Sequence, residues 1–218
     1  IVGKGALLRR SIEADSLMSA IFFGPPGTGK TTLATIIARI TKSHFETINA
    51  VMAGVADIRR VVEEAKERRA LYNEKTILFV DEIHRFNKAQ QDALLPFVES
   101  GLVTLIGSTT ENPMFAVNRP LISRAQLYRF ELLSVESLVN ILRKALQDEI
   151  NGLGTYQTEV SAEALEHLAG VANGDARVAL NALELAVLTT PPDTEGIRHI
   201  SLAVAEEAIQ KRVLRYNK

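Results

Sequence analysis

The chain has 218 residues, 46% apolar and 23% charged, an ordinary composition for a soluble globular protein of one large or two modest domains. Its 25 Lys and Arg against 26 Asp and Glu leave a net charge of −1, which excludes coating of nucleic acid by bulk positive charge. It has no cysteine, which excludes disulfides and cysteine-built zinc sites, and no apolar run approaches the roughly 18 residues that span a membrane. With no secretory leader in view, a cytosolic protein is the default expectation. The chain starts at Ile1-Val2-Gly3 without an initiator methionine, which points to a piece of something longer.

Ser19–Phe23 is a short apolar run that ends at Gly24, as a buried strand feeding a glycine loop does. The next stretch, Thr31 to Lys42, carries Leu33, Ile36, Ile37 and Ile40 at the spacing of one helix face. His44–Ile48 reads as a second strand. A helix from about Asp57 to Tyr72 follows, with Asp57 as its N-cap and Ile58, Val61, Val62 and Ala65 as its apolar face. Thr76–Val80 is a continuous apolar run, as a central parallel strand requires. Asn87 to Glu99 reads as a helix, opened by Asn87 and Gln90 in the pattern of a capping box. Leu102–Gly107 and Gln126–Leu132 read as two further strands. Alternating strands and helices predict an α/β domain over 1–133 with a parallel sheet covered on both faces.

From Ser134 the pattern changes. Ser134, Ser161 and Ser201 each precede an apolar-periodic stretch, and strand-like runs disappear. Asn151–Gly154, Asn173-Gly174 and Thr190–Asp193 break the helices. A small all-helical domain over 134–218 is expected. The chain shows neither internal repeats nor low-complexity segments.

Gly24-Pro25-Pro26-Gly27-Thr28-Gly29-Lys30-Thr31, followed by Thr32, fits the pattern G-x-x-x-x-G-K-[ST] between a strand and a helix. Glycines let backbone N–H groups wrap phosphates without Cβ clashes, and the following helix points its positive end at the same anion. Lys30 supplies a charge for the β and γ phosphates, and the Thr31 hydroxyl is a magnesium ligand. The apolar run at Thr76 ends in Asp81-Glu82, which places two carboxylates at the carboxyl edge of the sheet. Asp81 is the second magnesium candidate. Glu82 is the candidate to orient and polarise the attacking water, because phosphoryl transfer consists mostly of positioning and charge stabilisation. A carboxylate capping a helix is the structural alternative for this pair. Together the motifs predict a P-loop ATPase that uses ATP and Mg2+.

The phosphate loop with an apolar-Asp-Glu strand resembles the AAA+ ATPases, in the clade of clamp loaders and the RuvB branch-migration motor. Three longer stretches, Asp81–Asp92, Gly107–Pro113 and Gly174–Glu184, resemble the RarA/MgsA family of replication-associated recombination proteins, related to the Werner-helicase-interacting ATPase. The resemblance covers essentially the whole chain. It implies a P-loop parallel-sheet domain followed by a helical lid. It also implies a polar sensor after the fourth core strand, at Thr109 or Thr110. Ile122-Ser123-Arg124 resembles the Ser-Arg-Cys segment of clamp loaders, with Ala125 in place of Cys, and so makes Arg124 the arginine finger for a neighbouring subunit. Arg119 is the second candidate, and a surface arginine paired with an acid is the structural alternative. Arg177 matches the second sensor, on the lid, and Asp175 fits a cap for that helix. Asn49 corresponds to the residue that withdraws the catalytic glutamate in many AAA+ proteins; a turn former is the structural alternative. His84 is read as structural or as supporting the acids.

Arg59, Arg60, Lys66, Arg68 and Arg69 are interleaved with Glu63, Glu64 and Glu67, so they read first as a salt-bridged, solvated face. The turn before that helix is a candidate phosphate contact, and Val51–Val55 lacks the aromatic residue of polypeptide-threading relatives. The resemblance therefore implies DNA as partner, single-stranded or at forks and gaps. It further implies a homo-oligomer built through a C-terminal region, a single-stranded-DNA-binding protein as a further partner, and action in replication-fork maintenance and recombination on a bacterial nucleoid. The alternatives are a clamp-loader-like scaffold with little turnover, and a RuvB-like translocase.

Overall fold

The computed structural model describes residue 3 and residues 6–216, with the backbone alone over 210–216. The chain packs as two compact units. One reaches Pro25 and resumes from Gly29 to Glu131; the other holds Pro26–Thr28 and the described residues from Leu132 on.

In the first unit, α1 (Leu7–Glu13) precedes β1 (Ala20–Phe23), and then come α2 (Lys30–Ile40), β2 (His44–Asn49), α3 (Val55–Tyr72) and β3 (Thr76–Asp81). A 3-10 turn at Ile83–Arg85 leads to α4 (Lys88–Glu99) and β4 (Val103–Thr109). Two single-turn helices, α5 (Pro113–Ala116) and α6 (Arg119–Ile122), precede β5 (Gln126–Arg129). The five strands form one parallel sheet in the order β2-β3-β4-β1-β5. Because β4 lies between β1 and β3, Gly24, Thr109 and Asp81 all emerge at the carboxyl ends of adjacent strands. Phe23 pairs with Thr109 and Val80 with Gly107 in register. The carboxyl edge of a parallel sheet is where such folds bind ligands.

The central strands bury side chains on both faces. Leu78, Val80 and Leu105 pack with Ile58, Val61, Val62 and Ala65 of α3 and Leu94 of α4. Ile77, Phe79 and Ile106 pack on the other side with Ala34, Ile37 and Ala38 of α2. Each fully buried aliphatic or aromatic side chain contributes about 1.5–3 kcal/mol, so the two faces supply the main stabilisation.

The structure corrects five details of the sequence reading. The buried face of α2 is Lys30, Ala34, Ile37 and Ala38, whereas Ile36 and Ile40 remain 45% and 58% exposed. Small alanines let this helix lie close to the sheet, and Lys30 must face the loop. Helix α3 starts earlier, with Gly54 as N-cap; the Asp57 carboxylate accepts the Gly54 N–H at 2.8 Å from the third helical position. Strand β4 runs to Thr109, so only Thr110 lies beyond it, and β5 stops at Arg129. Strands also persist after Ser134. The capping box at Asn87 and Gln90 forms in both directions, at 3.0 and 2.9 Å.

The second unit is built from α7 (Val135–Gln147), β6 (Thr158–Val160), α8 (Ala162–Val171), α9 (Ala176–Thr189), β7 (Arg198–Ile200) and α10 (Leu202–Tyr216). Leu138, Leu142, Leu165, Leu168, Leu183 and Val187 form its core. The Ser134 and Ser161 hydroxyls cap α7 and α8, each accepting a backbone N–H at 3.2 Å. The unit is helical apart from β6 and β7, which pair in parallel over three residues each. Runs this short leave no readable alternation. Among the described residues no helix is long and apolar enough to cross a membrane.

Candidate nucleotide site

Strand β1 delivers the chain into the loop at Gly24, which leaves the sheet at φ 138°. A Cβ there would stand 2.2 Å from the Phe130 carbonyl oxygen, so only glycine fits. Gly27 and Gly29 also have positive φ, 65° and 90°, and Gly29 is the N-cap of α2. The loop thus turns its backbone in a way that side chains would block, and α2 starts with its N–H groups at the same place. Lys30 is 9% exposed, and its Nζ donates to the carbonyls of Gly24 and Pro25 at 2.8 and 2.7 Å. Thr31 and Thr32 are exposed on the first turn of α2.

Asp81 ends β3 and Glu82 follows it. Glu82 adopts φ 54° and ψ 44°, a left-handed conformation that costs a non-glycine residue roughly 1–2 kcal/mol. Its carbonyl accepts the Arg85 N–H at 2.8 Å, which closes the 3-10 turn. Strain of this kind concentrates at functional positions. The Ser108 hydroxyl, on β4, donates to Asp81 Oδ1. Thr109 is fully buried, and its Oγ1 lies 3.0 Å from His84 Nδ1 and accepts the Glu111 N–H at 3.0 Å. Thr110 is exposed. His84 also faces Glu82 and Glu111. Sequence reasoning missed Ser108 altogether and gave His84 no partners. The available signal was the small polar run Ser108-Thr109-Thr110 directly after an apolar strand.

The pattern defining the ATPase family associated with various cellular activities, AAA, matches residues 20–132. The chain belongs to the AAA family. An AAA C-terminal domain pattern also matches, at residues 154–218. Replication-associated recombination protein A of Haemophilus influenzae is 45% identical across all of this chain and 48% of its own length. The Bacillus subtilis protein of that name is 43% identical across all of this chain and 51% of its own length. ATPase WRNIP1 of Dictyostelium discoideum is 43% identical over 83% of this chain and 20% of its own length. The chain therefore spans about half the length of the bacterial relatives it matches. The solved Thermotoga maritima RuvB Holliday junction branch migration motor aligns with TM-score 0.72 at 25% identity, over 94% of this chain and 65% of that one.

AAA membership carries nucleotide binding, with Mg2+ as its usual companion. The residues fit that pair. The loop is turned by glycines at positive φ, Lys30 stands at its base, and a hydroxyl at Thr31 and a carboxylate at Asp81 are hard oxygen donors of the type Mg2+ prefers.

The remaining AAA candidates are distributed over both units. Arg124 precedes β5, where Gln126 N–H bonds to the Ser19 carbonyl before β1, so it sits at the amino-terminal edge of the sheet, opposite the cradle. Its Nε pairs with Glu99 Oε1 at 2.7 Å. Arg119 opens α6 and is exposed. Arg177 belongs to the second unit, at the start of α9, with an exposed side chain 4.0 Å from Asp175. Asp175 caps that helix, accepting from the Arg177 and Val178 N–H groups at 2.8 and 3.2 Å. Asn49 Oδ1 accepts the Val51 N–H at 2.9 Å, as a turn former does. On α3, Arg60 and Arg68 pair with Glu64 at 2.8 and 2.9 Å, and Lys66 with Glu63 at 2.6 Å. The hydrogen bond from Arg60 holds the Glu64 carboxyl below its ordinary range. That face is salt-bridged, as expected. Exposed Val51 and Met52 follow β2 at the carboxyl edge of the sheet.

Proposed function

We propose that this chain is the ATP-hydrolysing part of a DNA-associated AAA+ ATPase that acts in replication-fork maintenance and recombination, coupling hydrolysis to remodelling of DNA or of a DNA-bound complex. The observation that carries the ATPase reading is the convergence, at one sheet edge, of the Gly24–Thr31 loop with Asp81 and Glu82. The names of the relatives, recombination proteins associated with replication, support the setting.

In this reading the loop N–H groups and Lys30 bind the phosphates. Lys30 exchanges its two loop carbonyls for β and γ oxygens. Thr31 and Asp81 would hold Mg2+, which supplies neutralisation of phosphate charge when bound. Glu82 orients the attacking water. Thr110 or Thr109 senses the γ-phosphate; Thr110 is the exposed hydroxyl, while Thr109 is engaged with His84. Arg177, on the helical unit, is the proposed second sensor. Arg124 serves a neighbour, because its own cradle is at the other edge of the sheet, and the Glu99 pairing is its resting contact. The working form is accordingly a homo-oligomer. DNA at single-stranded, forked or gapped sites is the proposed substrate, a single-stranded-DNA-binding protein a partner, and the cytoplasm, on the nucleoid in a bacterium, the place of action.

Likeness to the RuvB motor favours one second reading, a duplex translocase. ATP turnover by the full protein with single-stranded, gapped, blunt and forked DNA separates the two. Stimulation by ends, gaps or forks is expected. Stimulation by long duplex alone supports translocation, and indifference to all DNA overturns both.

A further inference from the structure

Glu82 is tied to strand β4 through one buried ring. The His84 side chain keeps 6% of its accessibility, and its Nδ1 lies 3.3 Å from Glu82 Oε2. The same nitrogen is 3.0 Å from Thr109 Oγ1. Nε2 faces Glu111 Oε1 at 3.5 Å. The Thr109 hydroxyl is in turn fixed by the Glu111 N–H at 3.0 Å. Asn49 ends β2 in register with Asp81 but spends its side-chain oxygen on the Val51 N–H.

We propose that His84 is a positioning residue for Glu82, linking its carboxylate to Thr109 so that β4 aims the group that orients water. The proposal rests on the reading of Glu82 given above. A glutamate side chain has three rotatable bonds, and Glu82 is about a third exposed, so its backbone alone does not aim it. The ring supplies the missing constraint. With a proton on Nδ1 the ring presents a donor beside Glu82 Oε2 at 3.3 Å; with the proton on Nε2 that donor faces Glu111 Oε1 at 3.5 Å, and Nδ1 accepts the Thr109 hydroxyl proton. The ring can therefore hold or release the carboxylate without leaving its pocket, and Thr109, one residue before the exposed sensor candidate Thr110, takes the other side of that exchange.

The test is ATP turnover and nucleotide affinity of the full protein carrying Glu82→Gln, His84→Ala, His84→Gln or His84→Asn. An Asn amide nitrogen reaches the position of Nδ1, and a Gln amide nitrogen that of Nε2. His84→Ala and His84→Gln should lower kcat about tenfold, the scale of one hydrogen bond to a charged group, with KM and nucleotide affinity unchanged. His84→Asn should recover most of the rate. Unchanged kcat in the Ala and Gln variants, a Gln variant as active as Asn, or a matching loss of nucleotide affinity would overturn the proposal while leaving Glu82 in place. Normal turnover by Glu82→Gln would instead remove the reading on which the proposal rests.

Discussion

Gly24 leaves the sheet at φ 138° with the Phe130 carbonyl oxygen where a Cβ would be. Replacing it by alanine forces a strained backbone and a clash with main chain, which costs about 1–3 kcal/mol or more. For a chain of this size that lowers Tm by roughly 2–4 °C per kcal/mol. Gly24→Ala should therefore melt several degrees lower and lose nucleotide affinity, as read by thermal denaturation and a nucleotide titration; unchanged values would mean that the loop does not need this conformation. The phosphate loop and the Asp81-Glu82 pair were legible in the sequence because each is a local pattern whose chemistry lies within a few residues. The ties of Ser108 to Asp81 and of His84 to Thr109 were not legible. They join residues 27 and 25 positions apart, brought together only when β3 and β4 pair.

Helix α3 was readable because Ile58, Val61, Val62 and Ala65 are its one large apolar stripe, and all four are fully buried. Helix α2 offered two plausible stripes, and the bulkier one was not the buried one: contact with the sheet selects Ala34 and Ala38, which only the packed structure reveals. Strands β6 and β7 were missed because three residues cannot show a period. Their pairing is reinforced by His199, whose Nε2 meets Asp193 Oδ2 at 2.7 Å and whose Nδ1 meets Glu159 Oε2 at 3.4 Å. The Asp193 hydrogen bond raises the His199 pKa, and the same bond lowers that of Asp193. The imidazole contribution is complete below the ordinary histidine range and is lost as pH rises through the raised value. The carboxylate contribution is present above the ordinary range and is lost as pH falls through the lowered value. An NMR titration should find the His199 midpoint above that of a histidine peptide and returned toward it by Asp193→Asn; a midpoint that ignores the substitution would refute the coupling.

The whole molecule has two separately cored units, and its candidate finger and its cradle lie at opposite edges of one sheet. On the proposed assignment a single copy holds both halves of a site that is completed only with a neighbour. Mixing inactive Arg124→Ala protein with inactive Lys30→Ala protein should restore part of the ATPase rate, since some interfaces then pair an intact Lys30 with an intact Arg124. Co-assembly without recovery would remove Arg124 as the finger. Nucleotide binding and phosphate release by Glu82→Gln in the full protein decide whether ATP is cleaved at this sheet edge. The variant should bind ATP as the unmodified protein does and release phosphate roughly 100-fold or more slowly, the scale of losing a positioned base. Hydrolysis at the normal rate would contradict the assignment of this sheet edge as the site where ATP is cleaved.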